Sequence, residues 1–152
     1  MTITSDNIVR KTVTIHADVS TVWKALTDPE VMKLWMWDSE IEILSDWNIG
    51  SSLSIRNTMN GKSYESKGTI LQLEPNKVFQ YSYWNSISRV PDEPENYSIL
   101  DFRLFAEGDE TRLLFTQSNF VGEATFEHAN FYWNTALEVM KQFIEKTVMP
   151  QS

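Results

Sequence analysis

Hydrophobic positions near the end of the chain recur at helical spacing. Phe126, Ala129, Trp133, Leu137, Met140 and Ile144 stand three or four residues apart, and Tyr132, Ala136, Val139 and Phe143 widen the stripe. Glu127, Asn134, Glu138, Lys141 and Glu145 take the opposite side. The spacing predicts one long amphipathic helix from Phe126 to Val148, stopped near Pro150. Upstream the period changes to two. Val9, Lys11, Val13 and Ile15 alternate with Arg10, Thr12 and Thr14, the signature of a strand. Further strands are predicted from Glu40 to Leu44, around Leu53 and Ile55, from Tyr64 to Leu73, from Val78 to Trp84, from Ser98 to Phe105 and from Thr111 to Asn119. Asn60-Gly61 is the sharpest hairpin signal, because both residues tolerate positive φ.

Two short helices interrupt the strands early. Asp18 is a candidate N-cap for a helix carrying Val19, Val22, Trp23 and Leu26. Asp28-Pro29 restarts the helix, since proline suits a first helical position where its missing N–H costs nothing, and Val31, Leu34 and Trp35 supply an apolar side. Val90 to Asn96, with Pro91, Pro94 and three acids, reads as an exposed loop. A wide-faced helix that follows many strands must bury itself against the sheet those strands make, and a curved sheet leaves a pocket beneath it. The chain is therefore expected to form a single α+β domain spanning 1–152.

Composition narrows the function. A formal charge of −8 opposes binding to nucleic acid and to an anionic membrane surface, because both need clustered Lys and Arg. No window approaches the roughly 20 apolar residues of a membrane span, and no N-terminal apolar run resembles a signal peptide, so a cytoplasmic location is expected. The absence of cysteine removes disulfides, thiolate metal sites and a Cys nucleophile. Six Trp and eight Phe are plentiful for 152 residues and serve either a packed core or aromatic pocket walls.

Several stretches, in order, carry a resemblance. These are Ala25-Leu26-Thr27-Asp28-Pro29-Glu30 running to Leu34-Trp35, Asn48-Ile49-Gly50-Ser51 followed by Leu53 and Ile55, and Gly68-Thr69-Ile70 through Leu73-Glu74-Pro75. Thr111-Arg112-Leu113, Phe115-Thr116-Gln117, and Trp133 with Leu137 complete the series. Together they resemble the AHSA-type family, homologues of the C-terminal domain of the activator of the heat-shock-chaperone ATPase, within the START-like (SRPBCC) superfamily. The resemblance implies a helix-grip (START-like, Bet-v-like) fold: a curved antiparallel sheet of six to seven strands wrapped on the long C-terminal helix, with a cavity between. The family usually has Gly-Trp where this chain has Tyr132-Trp133, so a bulkier side chain stands at the pocket.

These patterns lead to one main expectation. A small, mostly hydrophobic molecule binds between Trp133, Leu137 and Met140 on the helix and Tyr81, Tyr83, Phe102 and Phe115 on the sheet, with Trp35 near the mouth of the pocket. Burial of apolar ligand surface at roughly 25 cal/mol per Å² would supply the affinity. Trp35-Met36-Trp37 or the acidic loop Asp92-Glu93-Pro94-Glu95 is also a candidate contact surface for a chaperone, the alternative partner that the resemblance implies, with a stress-response role. A polyketide-cyclase or hydrolase-like enzyme is the further alternative. Catalysis finds little support in the residues. His16 and His128 lie far apart with no carboxylate at useful spacing, no His pair has metal-ligand spacing, and no Gly-rich phosphate loop is present. No metal or cofactor is expected, and the protein is expected to be a monomer or homodimer. Asp101 and Arg103 share a strand face opposite Phe102 and read as a solvated ion pair.

Overall fold

The structure, a computed structural model, describes residues 4–5, 8–35, 41–59, 61–86 and 90–148. The strands are β1 (Thr4–Ser5), β2 (Val9–Ile15), β3 (Ile41–Ser45), β4 (Ser52–Met59), β5 (Lys62–Glu74), β6 (Val78–Asn85), β7 (Ser98–Glu107), β8 (Glu110–Ser118) and β9 (Phe120–Val121). The helices are α1 (Val19–Thr27), α2 (Pro29–Trp35) and α3 (Glu123–Val148). Seven strands form one antiparallel sheet in the order β2-β8-β7-β6-β5-β4-β3, and β1 pairs separately with β9. Every neighbour except the β2–β8 pair follows in sequence, so short hairpins build most of the sheet. This is the helix-grip architecture, with two short helices after β2 and the long helix last.

Local chemistry accounts for the helices. Asp18, in extended conformation, accepts the Thr21 backbone N–H at 3.0 Å and so caps α1. Asp28 ends α1 and accepts the Glu30 N–H at 3.0 Å, with Pro29 opening α2. The helix α3 begins at Glu123, three residues before the expected start. Gly122, at φ +85°, turns the chain out of β9, and the Thr125 hydroxyl donates back to the Val121 carbonyl at 2.6 Å. With 26 residues α3 is about 39 Å long. Its expected stripe is buried at Ala129, Trp133, Ala136, Leu137, Met140 and Ile144. Val139, expected to widen the stripe, is instead 44% exposed and so lies outside the buried face of the helix.

The helix backbone comes closest to the sheet at β2, its edge strand. Over β5 and β6 the space is spanned by large side chains. On the face toward α3, the pairings align Tyr83 with Ser98, then Tyr81 with Leu100 and Gln117, then Phe79 with Phe102 and Phe115. The opposite face carries Gln80, Asp101 and Arg103. The expected hairpin joins β4 to β5 with Met59 paired to Lys62, and Gly61 takes φ +78°. Asn60, Glu40 and Pro150 lie outside the described residues, as do Met36 and Trp37.

Candidate functional site

The concave face of the sheet has two halves of different chemistry. One half is aromatic and filled. Phe115 and Trp133 approach to 4.3 Å between ring centroids, Phe102 lies 4.9 Å from Phe115 and 5.8 Å from Trp133, and Phe79 stands 4.9 Å from Tyr81. Trp23 and Trp47 close on Phe79 from the other side, at 6.4 and 5.8 Å. Each such pair contributes about 0.5–1.5 kcal/mol beyond the area it buries. The four rings of Tyr81, Phe102, Phe115 and Trp133, expected as pocket walls, are thus brought together, and they touch one another. Leu137 and Met140 are buried on the helix beside them.

The other half is polar. A chain of hydrogen bonds crosses from the helix to three strands: the Trp133 indole N–H donates to Gln117 Oε1 at 3.1 Å, and the Gln117 amide donates to the Ser98 hydroxyl at 2.9 Å. That hydroxyl donates to the Tyr83 carbonyl at 3.5 Å. Beyond this chain the Asn85 amide donates to the Tyr83 hydroxyl at 2.8 Å. Tyr83 shares the concave face, but its ring stacks on no other ring among the described residues. Tyr132 packs edge-on against Trp133 at 5.2 Å.

Two buried polar groups in this half have no partner among the described residues. Asn57 is 8% exposed, in phase with Leu53 and Ile55, and its carboxamide makes no hydrogen bond. Tyr81 is also 8% exposed, and its hydroxyl makes none either. Every described side-chain polar atom that is fully sealed has a partner, so these two border space large enough for a water molecule. Burial pushes the Tyr81 phenol well above its ordinary pKa, and the neighbouring Tyr83 and Tyr132 add to the shift. Burial, then Tyr83, pushes Tyr132 up to about 12. Tyr81 and Tyr132 therefore stay protonated at neutral pH.

Trp35 is placed elsewhere. Its indole N–H donates to the Ala25 carbonyl at 2.8 Å, which anchors α2 on α1. Sequence reasoning overlooked Asn57, Ser98 and Gln117, and a signal for them exists: each is a polar residue in phase with an apolar set on its own strand. Among the described residues, no histidine or carboxylate lies on the concave face. Two lysines do: Lys11 on the edge strand β2, paired with Phe115 and so beyond the aromatic half, and Lys62 at the exposed start of β5, paired with Met59.

His16 corrects one expectation, since it does meet carboxylates. Its Nδ1 lies 3.3 Å from Glu110 and its backbone N–H donates to Glu145 at 2.8 Å. The β2–β8 pairing brings these partners from far along the chain, and the side chain remains half exposed, which suits a surface contact. The Asp101–Arg103 pair, at 2.9 Å, lies on the convex face with Gln80 bonded to Asp101, as the alternation predicts.

The convex face also carries an open groove of about 1080 Å³ between β4, β5 and the loop at 90–97. Its cations are already engaged. Lys67 pairs with Asp92 at 2.5 Å, and Arg56 lies 3.5 Å from Glu65 and 3.8 Å from Glu42. The Tyr97 hydroxyl donates to Asp92 as well, so the acidic loop is tied down over the sheet.

Comparison with known proteins agrees with this architecture. The family model described as activator of Hsp90 ATPase homolog 1-like protein matches residues 16–145. The solution structure of ChR145 from Cytophaga hutchinsonii is 34% identical, with a TM-score of 0.81 over 97% of this chain and 99% of that one. Protein CV1439 from Chromobacterium violaceum is 18% identical, with a TM-score of 0.78 over 93% and 99% of the two chains. The Aha1 dimer from Colwellia psychrerythraea is 22% identical, with a TM-score of 0.72 over 91% and 96%. A search of curated proteins finds no match.

Proposed function

The chain belongs to the family of activator of Hsp90 ATPase homolog 1-like proteins, and from that membership we propose that it binds one small, mostly apolar molecule between its sheet and α3. The observation that carries the reading is the Tyr81 hydroxyl, on a buried residue, without a hydrogen-bond partner among the described residues, and not fully sealed from a water-sized molecule. A core selected only for stability pairs such a group or replaces it, because an unpaired buried hydroxyl costs about 1–3 kcal/mol. The aromatic half of the concave face then serves as the floor on which the ligand lies, with Phe102, Phe115, Trp133, Leu137 and Met140 as its apolar contacts. Tyr81 and Tyr83 line the polar end. Trp35 supports the site by holding α2 in place. The chain acts in this reading as a single cytoplasmic domain without cofactor or metal.

Titration with N-phenylnaphthylamine, an uncharged apolar probe, followed by amide chemical shifts, tests the proposal. The expected shifts cluster on Tyr81, Phe102, Phe115 and Trp133. Shifts confined to Ser54, Lys67 and the rest of the convex groove would contradict it.

A second reading, engagement of a chaperone, draws on the description of the family and on the name of the Colwellia psychrerythraea relative. It predicts that the purified protein raises the ATPase rate of an Hsp90-type chaperone, and that this effect survives when the concave site is filled by the probe. The same relative is a dimer, so sedimentation of this chain distinguishes monomer from homodimer.

A further inference from the structure

The polar half of the concave face constrains the ligand, and this step rests on the binding reading above. Tyr81 and Tyr83 project from the same face of β6, two residues apart. Tyr132 comes from α3 beside Trp133, and Trp133 is fastened through Gln117 to Ser98, the residue paired with Tyr83. Helix and strand thus bring three phenols to one place. Tyr83 accepts its hydrogen bond from Asn85, which leaves its own O–H to be given away. Tyr81 and Tyr132 hydroxyls have no acceptor among the described residues. The site therefore holds several hydroxyl donors that no described residue accepts from, and of the charges on this face among the described residues Lys11 sits behind Phe102 and Phe115 and Lys62 stands exposed at the start of β5.

We propose that the ligand is uncharged and ends in a hydrogen-bond-accepting oxygen, a carbonyl being the simplest, which docks on the hydroxyls of Tyr81, Tyr83 and Tyr132 while its apolar body lies against Phe102 and Trp133. An anion is excluded by cost: burial of a carboxylate without a paired cation is far dearer than burial of a ketone. A pure hydrocarbon is disfavoured for the converse reason, since it would displace water from the three phenols and return no acceptor.

Three naphthalenes that carry an acetyl, an ethyl or a carboxylate group at the same carbon test this by calorimetric titration of the intact chain. The ketone is expected to bind about tenfold or more tightly than the ethyl analogue, the value of one or two hydrogen bonds in a dry site. The carboxylate is expected to bind weakest. Tyr81→Phe removes only an oxygen that the protein itself leaves unpaired, so the fold should persist, as circular dichroism would verify. That variant should weaken the ketone about fivefold and leave the ethyl compound within about twofold. Equal affinity for ketone and ethyl compound, or tightest binding of the carboxylate, overturns this inference and leaves the binding reading standing. No binding by any of the three overturns both.

Discussion

Asn57 and Gln117 are both polar residues in apolar company, and they should respond to substitution in opposite ways. Gln117 accepts from Trp133 and donates to Ser98, so every polar atom in that chain is used. Gln117→Leu strands a buried indole N–H and removes the bond that the Ser98 hydroxyl accepts, and urea unfolding should show a loss of about 1–3 kcal/mol. Trp133→Phe in the same background should recover part of that loss, which a double-mutant cycle measures. Asn57 has no such bonds to lose. Asn57→Leu keeps the volume and should raise stability by about 1 kcal/mol while it weakens ligand binding. A destabilised Asn57→Leu would mean that the carboxamide is already satisfied within the protein. At this scale the sequence was only partly legible. Periodicity put Tyr81 and Phe102 each on an apolar strand face and Trp133 on the helix stripe, but it did not decide that those strand faces meet the helix. Nor could it place the polar network, because the bonds among Trp133, Gln117 and Ser98 depend on which strands are neighbours, and alternation does not reveal that.

Among the elements, β5 departs most from what its pattern predicts. It runs from Lys62 to Glu74, and its pairing with β6 shifts between Ile70 and Gln72, a bulge that bends the sheet. Gly68 marks the close approach of the two strands. A Cβ at this position would lie 1.6 Å from the Ser82 carbonyl oxygen, which is backbone and cannot swing aside. Gly68→Ala should therefore cost at least the roughly 3 kcal/mol at the upper end of ordinary overpacking, and thermal unfolding would report it. A loss below about 1 kcal/mol would show that β5 and β6 can separate without penalty. The glycine was visible in sequence as part of a family-like stretch, but its physical role needed the neighbouring strand. Helix α1 gives the contrasting case, since Asp18 announced its cap in sequence and the bond to Thr21 is present. Asp18→Ala should cost about 1 kcal/mol, and replacement by Asn much less.

For the whole molecule, the two faces of the sheet divide the work. The concave face carries the proposed ligand site, and the convex face carries ion pairs, of which Lys67–Asp92 holds the acidic loop. Hydrogen bonds from Lys67 and Tyr97 hold the Asp92 carboxyl below its usual range. A carboxyl with a lowered folded pKa contributes stability above its unfolded value of 3.8, and that contribution fades as pH falls through the folded value. The loop should thus stay docked at neutral pH and release as the pH falls through that lowered value, below 3.8. Trp84, whose indole donates to the Val90 carbonyl on this loop at 3.1 Å, offers a fluorescence readout. Asp92→Asn should abolish that acid transition and leave the concave site unchanged. The fold was legible at this scale because the period of the hydrophobic pattern and the order of elements suffice to specify a sheet gripping a helix. The ligand was not, because the residues that would recognise it are brought together only when the sheet curves. Native mass spectrometry of the protein purified from its own host tests the central claim most directly. The prediction is an uncharged molecule bound one to one and released by organic solvent, and retained less by Tyr81→Phe. A chain that carries nothing from its host, and that takes up none of the three naphthalenes afterwards, would contradict it.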